Sequence, residues 1–178
     1  PLFLMETKMD VNNKSVVAVY AHPDDVEFQC AGTLALLHDQ GFKITIMTMT
    51  PGDCGSMELR PEEIARIRRA EAADAATLLD ADYYCGEQRD ICVEHDTNSR
   101  RIIAAVIRKA DPSIVFTHCP QDYMHDHINT SKSCMDACFA AGIPNFWTYG
   151  DEPPSSGVPA LYYSVPMEGK TCYGEPWA

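Results

Sequence analysis

The sequence predicts an α/β protein in three layers, a mainly parallel sheet with helices on both faces. Five short strand-like runs recur along the 178 residues, the first, second and fourth rich in Val, Ile and Thr, and segments of helical length and amphipathic pattern separate them. A further observation concerns polar residues: the His- and Asp-rich clusters follow the first and fourth runs and do not interrupt them. In an open parallel sheet, ligands bind outside the carboxyl ends of the strands, where the strand order reverses. A strand order of 3-2-1-4-5 makes the first and fourth strands neighbours at that point and turns both clusters toward one crevice.

The elements follow in order. Val16 to Ala21 reads as a fully buried strand, ended by His22-Pro23-Asp24-Asp25. Val26 to Gln40 reads as a packed helix carrying Phe28, Leu34, Leu36 and Leu37, with Gly41 as its C-cap. Lys43 to Thr50 alternates apolar residues with Thr and forms the second strand, and Pro51 to Ser56 is a turn-rich loop. Pro61 starts a long helix to Leu79, with Glu62 and Glu63 in its first turn where the helix dipole favours them. Asp82 to Cys85 is the third strand, followed by a loop with Gly86, Arg89 and Asp90 and a minor strand at Ile91 to Val93. Thr97 is the expected N-cap of a helix carrying Ile102, Ile103, Val106 and Ile107, which Asp111-Pro112 ends. Ser113 to His118 is the fourth strand, about His127 to Ala141 a helix, and Ala160 to Val165 the fifth strand. Residues 1–178 are read as one domain, with 1–14 a flexible N-terminal extension.

Composition narrows the function classes. A net charge of −12 argues against nucleic acid or an anionic membrane surface as the main partner. No run of 18 apolar residues is present, so no transmembrane helix is expected, and Pro1 to Met5 is too short for the core of a signal peptide. The eight cysteines include no Cys-X-X-Cys pair, which reads as reduced thiols in a cytoplasmic protein. No Gly-X-Gly-X-X-Gly follows the first strand, so a dinucleotide-binding oxidoreductase is disfavoured.

Chemistry centres on the two clusters. His22 and Asp25, one turn apart at a helix start, suit a metal ion, with Asp24 left over for proton transfer. The plainer alternative makes Asp24 or Asp25 a helix cap and His22 a satisfied polar residue. In the second cluster, Asp122 to His127, His127 supplies a third ligand from the opposite side of the crevice. Two His and one Asp leave a position for water, the pattern of a catalytic zinc and not of a closed structural one. The plainer alternative makes His125 and His127 solvated loop residues and Asp126 an N-cap, but two clusters at matching strand ends favour the metal.

Several motifs carry a resemblance. His22-Pro23-Asp24-Asp25 after a strand, Gly32-Thr33-Leu34, Ile67-Arg68-Arg69-Ala70-Glu71-Ala72, Pro120-Gln121-Asp122 and Asp126-His127 occur in this order. From about Val16 to Tyr163 the chain resembles the LmbE / PIG-L type deacetylases. The resemblance implies a Rossmann-like fold and one Zn2+ that removes an N-acetyl group, typically from an N-acetylglucosamine derivative. By position it makes His22, Asp25 and His127 the zinc ligands and Asp24 the general base. It also matches Arg68 and Asp90 to positions that contact the sugar, although Arg68 on a helix face reads equally as an ion-pair partner of Glu71 or Glu63. One departure stands out. Many relatives carry a second histidine three residues before the zinc histidine, where it stabilises the oxyanion, and here that position is Met124, which donates no hydrogen bond. His125 is the first expected substitute and His118 the second.

The resulting expectation is a zinc-dependent hydrolase of a small N-acetylated amino sugar. Relatives of this kind are often multimeric, and many continue past the end of this sequence. The alternatives are an amidase or esterase acting on a non-sugar conjugate at the same site, and a metal-binding module with weak or lost catalysis.

Overall fold

A computed structural model describes residues 13–166, so most of the expected extension and the tail from Met167 onward lie outside the described residues. The strands are β1 Ser15–Tyr20, β2 Lys43–Thr48, β3 Asp82–Cys85, β4 Ile114–Thr117 and β5 Ala160–Tyr163. They pair in the order β3-β2-β1-β4-β5, all parallel. The helices are α1 Asp25–Gln29, α2 Ala31–Asp39, α3 Pro61–Thr77, α4 Thr97–Ala110 and α5 His125–Ala140. This is the α/β architecture that the alternation of runs predicts, in the strand order that makes the first and fourth strands neighbours.

Every side chain of β1 is buried, as in a central parallel strand covered on both faces. Val16, Ala18 and Tyr20 pack with Leu34 of α2, Ile44 and Ile46 of β2 and Ala76 of α3. Val17 and Val19 turn the other way, onto Ile103 and Ile107 of α4 and Cys134 and Cys138 of α5. Burial of one such aliphatic side chain is worth about 2 kcal/mol, so the pleat of β1 ties both helical layers to one strand. Among the described residues, Cys30, Cys54, Cys85, Cys92, Cys134 and Cys138 are in the thiol form. No helix of the described residues is long and apolar enough to cross a membrane.

Four local expectations need correction. The helix expected over 26–40 breaks at Cys30, whose backbone leaves the helical region at φ −145° and separates α1 from α2. No strand forms at Ile91 to Val93, because the Ile91 and Val93 amides donate to the Asp126 carboxylate instead of to a neighbouring strand. Asp96, not Thr97, caps α4, its Oδ1 accepting from the Ser99 amide at 2.8 Å. Lys14, placed by sequence in the flexible extension, is tied down: its carbonyl accepts from the Lys43 amide at 2.8 Å.

Candidate metal centre

The parallel register pairs Val19 of β1 with Thr117 of β4, so the two strands end side by side. His118 leaves β4 directly beneath the turn that follows β1, and its Nε2 accepts from the Ala21 amide at 3.0 Å. That turn holds Asp24 at φ 103° and ψ −26°, a conformation costing a non-glycine residue about 1 kcal/mol. It separates the two carboxylates. Asp25 is 6 % exposed and points inward, whereas the Asp24 side chain is 51 % exposed. Asp24 occupies the N-cap of α1 but makes no capping hydrogen bond, so the plain helix-cap alternative fails for it.

Asp25 is the hub. Its Oδ2 accepts from the His22 amide at 2.8 Å and lies 3.3 Å from His22 Nδ1 and 3.2 Å from His118 Nε2. Its Oδ1 lies 3.3 Å from His127 Nε2. Each of the outer imidazoles has a second carboxylate behind it: Asp126 Oδ2 at 3.2 Å from His22 Nε2, and Asp122 Oδ1 at 3.1 Å from His127 Nδ1. A carboxylate behind a histidine fixes the ring's orientation and raises its basicity, the usual support of a metal-ligating imidazole. Asp126 is itself locked by the Ile91 amide at 2.7 Å and the Val93 amide at 3.2 Å.

The charges follow this geometry. Burial pushes the His22 imidazole down, but Asp126 and Asp25 outweigh it and raise it to about 10. Burial likewise opposes the charge on His127, and Asp122 and Asp25 raise it to about 9. Burial opposes the charge on Asp25, but the close His118, His127 and His22 imidazoles outweigh it and hold its carboxyl far below the usual carboxylate range. His118, stacked on His127 with ring centroids 3.8 Å apart, is pushed down, chiefly by its complete burial. Three carboxylates surround the two raised imidazoles, and such a set demands positive charge, as protons or as a metal ion.

The residues fit a metal. One ligand atom from each of His22, Asp25 and His127 lies within 4.8 Å of the others. Both ring nitrogens of His127 are buried, and neither makes a hydrogen bond despite the nearby carboxylates. Misaligned contacts around one point are what a coordination site, not a hydrogen-bond network, requires. A second grouping, His118, Asp122 and His127, shares His127 but is wholly buried. The first set opens on a cleft of about 430 Å³, lined among others by Asp24, Phe28, Arg68, Asp90, Tyr123 and Met124. Its two nitrogens and one carboxylate suit zinc, iron or cobalt alike.

The remaining expected residues divide. Arg68 of α3 reaches the cleft, donating from Nη2 to Asp24 Oδ2 at 2.6 Å and to the Pro23 carbonyl. Its partner is therefore Asp24, not Glu71 or Glu63. Its stem lies against Gly52 and Gly55, where an added Cβ would come within 2.7 Å of it. Asp90 lines the cleft and accepts from the Cys54 amide at 2.9 Å. His125, the expected substitute for the missing histidine, is exposed, pairs with the Asn129 amide group at 2.8 Å and does not line the cleft. His118 is shut behind Asp25. Met124 itself lines the cleft. Residue reading passed over Asp122 and Asp126 as supports, although one lies five positions and the other one position before the candidate ligand His127.

Comparison with known proteins agrees with this geometry. Residues 17–138 match the family model described as PIG-L: GlcNAc-PI de-N-acetylase. The uncharacterized deacetylase YaiS of Escherichia coli (strain K12) is 42% identical over 171 residues, covering 87% of this chain and 84% of that one. The 4-oxalmesaconate hydratase of Pseudomonas putida is 25% identical over 179 residues, covering 96% and 68%. The structure of N,N'-diacetylchitobiose deacetylase from Pyrococcus horikoshii superposes with a TM-score of 0.80 at 26% identity, covering 87% of this chain and 61% of that one. The chain thus spans about three fifths to two thirds of the length of the latter two. With motifs, strand order and family model in agreement over the same stretch, the chain belongs to the PIG-L (GlcNAc-PI de-N-acetylase) family.

Proposed function

We propose that this chain, acting as one domain, is a zinc-dependent N-deacetylase of an N-acetylated amino sugar or a close conjugate. The observation that carries the reading is the division of the two adjacent aspartates: Asp25 faces His22 and His127, while Asp24 stands beside them on the cleft. An ion held by His22, Asp25 and His127 supplies Lewis acidity, lowering the pKa of water from about 15.7 towards 7 and polarising the amide carbonyl. Asp24 takes the proton of the attacking water and returns it to the departing amine, making the leaving group a neutral amine instead of an amide anion. Arg68 positions that base, holding it through Oδ2 and leaving the transfer to Oδ1. Asp90, on the same wall as Arg68, accepts from a sugar hydroxyl. Met124 offers no donor to the developing oxyanion.

The test is acetate release from N-acetylglucosamine, its inositol and malate glycosides, chitobiose and glycolipid forms, against larger amide conjugates. Asp24→Asn should retain the metal and lower turnover about 100-fold or more, while His127→Ala should lose the metal. Normal deacetylation by Asp24→Asn would overturn the assignment. The similarity to a hydratase over nearly the whole chain supports a second reading, addition of water to a carbon–carbon double bond at the same centre. Hydration of 4-oxalmesaconate without acetate release from any amide would favour it.

A further inference from the structure

A second group of ligating side chains borders the same cleft, with Cys54 and Asp90 in its wall and Asp53 behind them. Asp53 and Cys54 lie on the loop after β2, and Asp90 on the loop after β3. One ligand atom from each lies within 4.8 Å of the others. Asp53 and Asp90 are 9 % and 8 % exposed, while Cys54 is open to solvent. Two buried carboxylates this close need compensating positive charge. The chain supplies part of it: Arg89 Nε donates to Asp53 Oδ2 at 3.2 Å, from a side chain 71 % exposed. The Asp90 amide donates to Asp53 Oδ1 at 2.8 Å and the Cys54 amide to Asp90 Oδ2 at 2.9 Å. Asp90 Oδ1 is buried and has no hydrogen-bond partner, although its residue forms part of the cleft wall. A buried carboxylate oxygen left without a donor, next to an accessible thiol, is what a cation ligand leaves behind.

We propose that Asp53, Cys54 and Asp90 form a second divalent-cation site, specific for thiophilic ions such as Zn2+ and Cd2+ and separate from the centre at His22, Asp25 and His127. The thiolate makes the site softer than the first one and selects against Mg2+ and Ca2+, which prefer all-oxygen shells. Binding releases the Cys54 thiol proton to solvent and places positive charge at Asp90 Oδ1. The ion draws Asp90 away from any substrate, so on the deacetylase reading above it inhibits turnover and does not support it.

The test uses the whole chain, zinc-loaded, titrated with Cd2+ and followed by ion stoichiometry and by ultraviolet sulfur-to-cadmium charge-transfer absorption. A further ion should bind with the appearance of that band. Cys54→Ser should lose both the ion and the band, and Cys92→Ser should keep both. His127→Ala should keep the band while losing the other ion. Asp90→Asn, which retains the thiol, should weaken the band-forming event about tenfold or more. Absence of the band in the unmodified protein, its survival in Cys54→Ser, or an unchanged affinity in Asp90→Asn would each overturn the site. Inhibition of acetate release by excess Zn2+ should be relieved in Cys54→Ser. Should no acetate be released at all, the deacetylase reading fails alone, because the spectroscopic titration still decides the site.

Discussion

Asp24 and Asp25 are adjacent in the chain and opposite in environment. The left-handed backbone at Asp24 is what parts them, since a helical φ there would place the two carboxylates about 100° apart on one continuous helix. Met124 is the other decisive residue. It lines the cleft at the position where the family resemblance leads to the expectation of a histidine, and neither His118 nor His125 reaches the cleft to replace it. Met124→His should therefore raise turnover about tenfold with metal content unchanged, since a single oxyanion donor is worth at least that much. Steady-state kinetics with the substrate found in the acetate screen checks this. An unchanged or lower kcat would show that the cleft already holds a donor.

At the scale of elements, the site depends on a loop that has no regular structure. Residues 90 to 93 carry Asp90 and part of the cleft wall, and two of their amides end on Asp126. Asp126→Ala would leave the Val93 amide buried without an acceptor and would free the His22 ring, at a cost of about 2 kcal/mol. Denaturant unfolding should show this loss, and hydrogen exchange should speed up at Ile91 and Val93 before it does so in β1. Equal protection in both proteins would remove Asp126 as the anchor. The same loop shows why local pattern misled. Ile91-Cys92-Val93 has the composition of a strand, but its hydrogen bonds go to a side chain 33 to 35 residues away. The break at Cys30 was equally hidden, because Val26 to Gln40 carries an unbroken helical pattern and no proline.

At the scale of the whole molecule, β1 carries both cores on alternate faces and delivers His22 to Asp25 at its end. Leu34→Ala, in the core on the α2 side, should cost about 3 kcal/mol, read as a lower denaturant midpoint. It should leave metal content intact in the folded fraction. Metal and fold are linked in turn: an ion that binds only the native state at 100 times its Kd adds about 2.7 kcal/mol. A chelator should therefore lower the Tm of the unmodified protein by more than it lowers that of His127→Ala. A chelator-insensitive Tm would argue against a metal held by these three residues.

The sequence by itself determined the class of fold, the succession of its five strands along the chain, and His22, Asp25 and His127 as candidate ligands. Those depend on local signals: β-branched runs, helical periodicity, and motifs that sit at strand ends because polar residues cannot continue a buried strand. It also carried the family, through several motifs in one order. Tertiary structure alone decided which carboxylates stand behind the histidines, which partner Arg68 takes, and that neither His118 nor His125 reaches the cleft. The reason is physical. A strand's direction is set by its own residues, whereas the partner of an Asp or Arg side chain is whichever group the packed sheet brings within about 3 Å, and those groups lie 30 to 100 positions away in the chain.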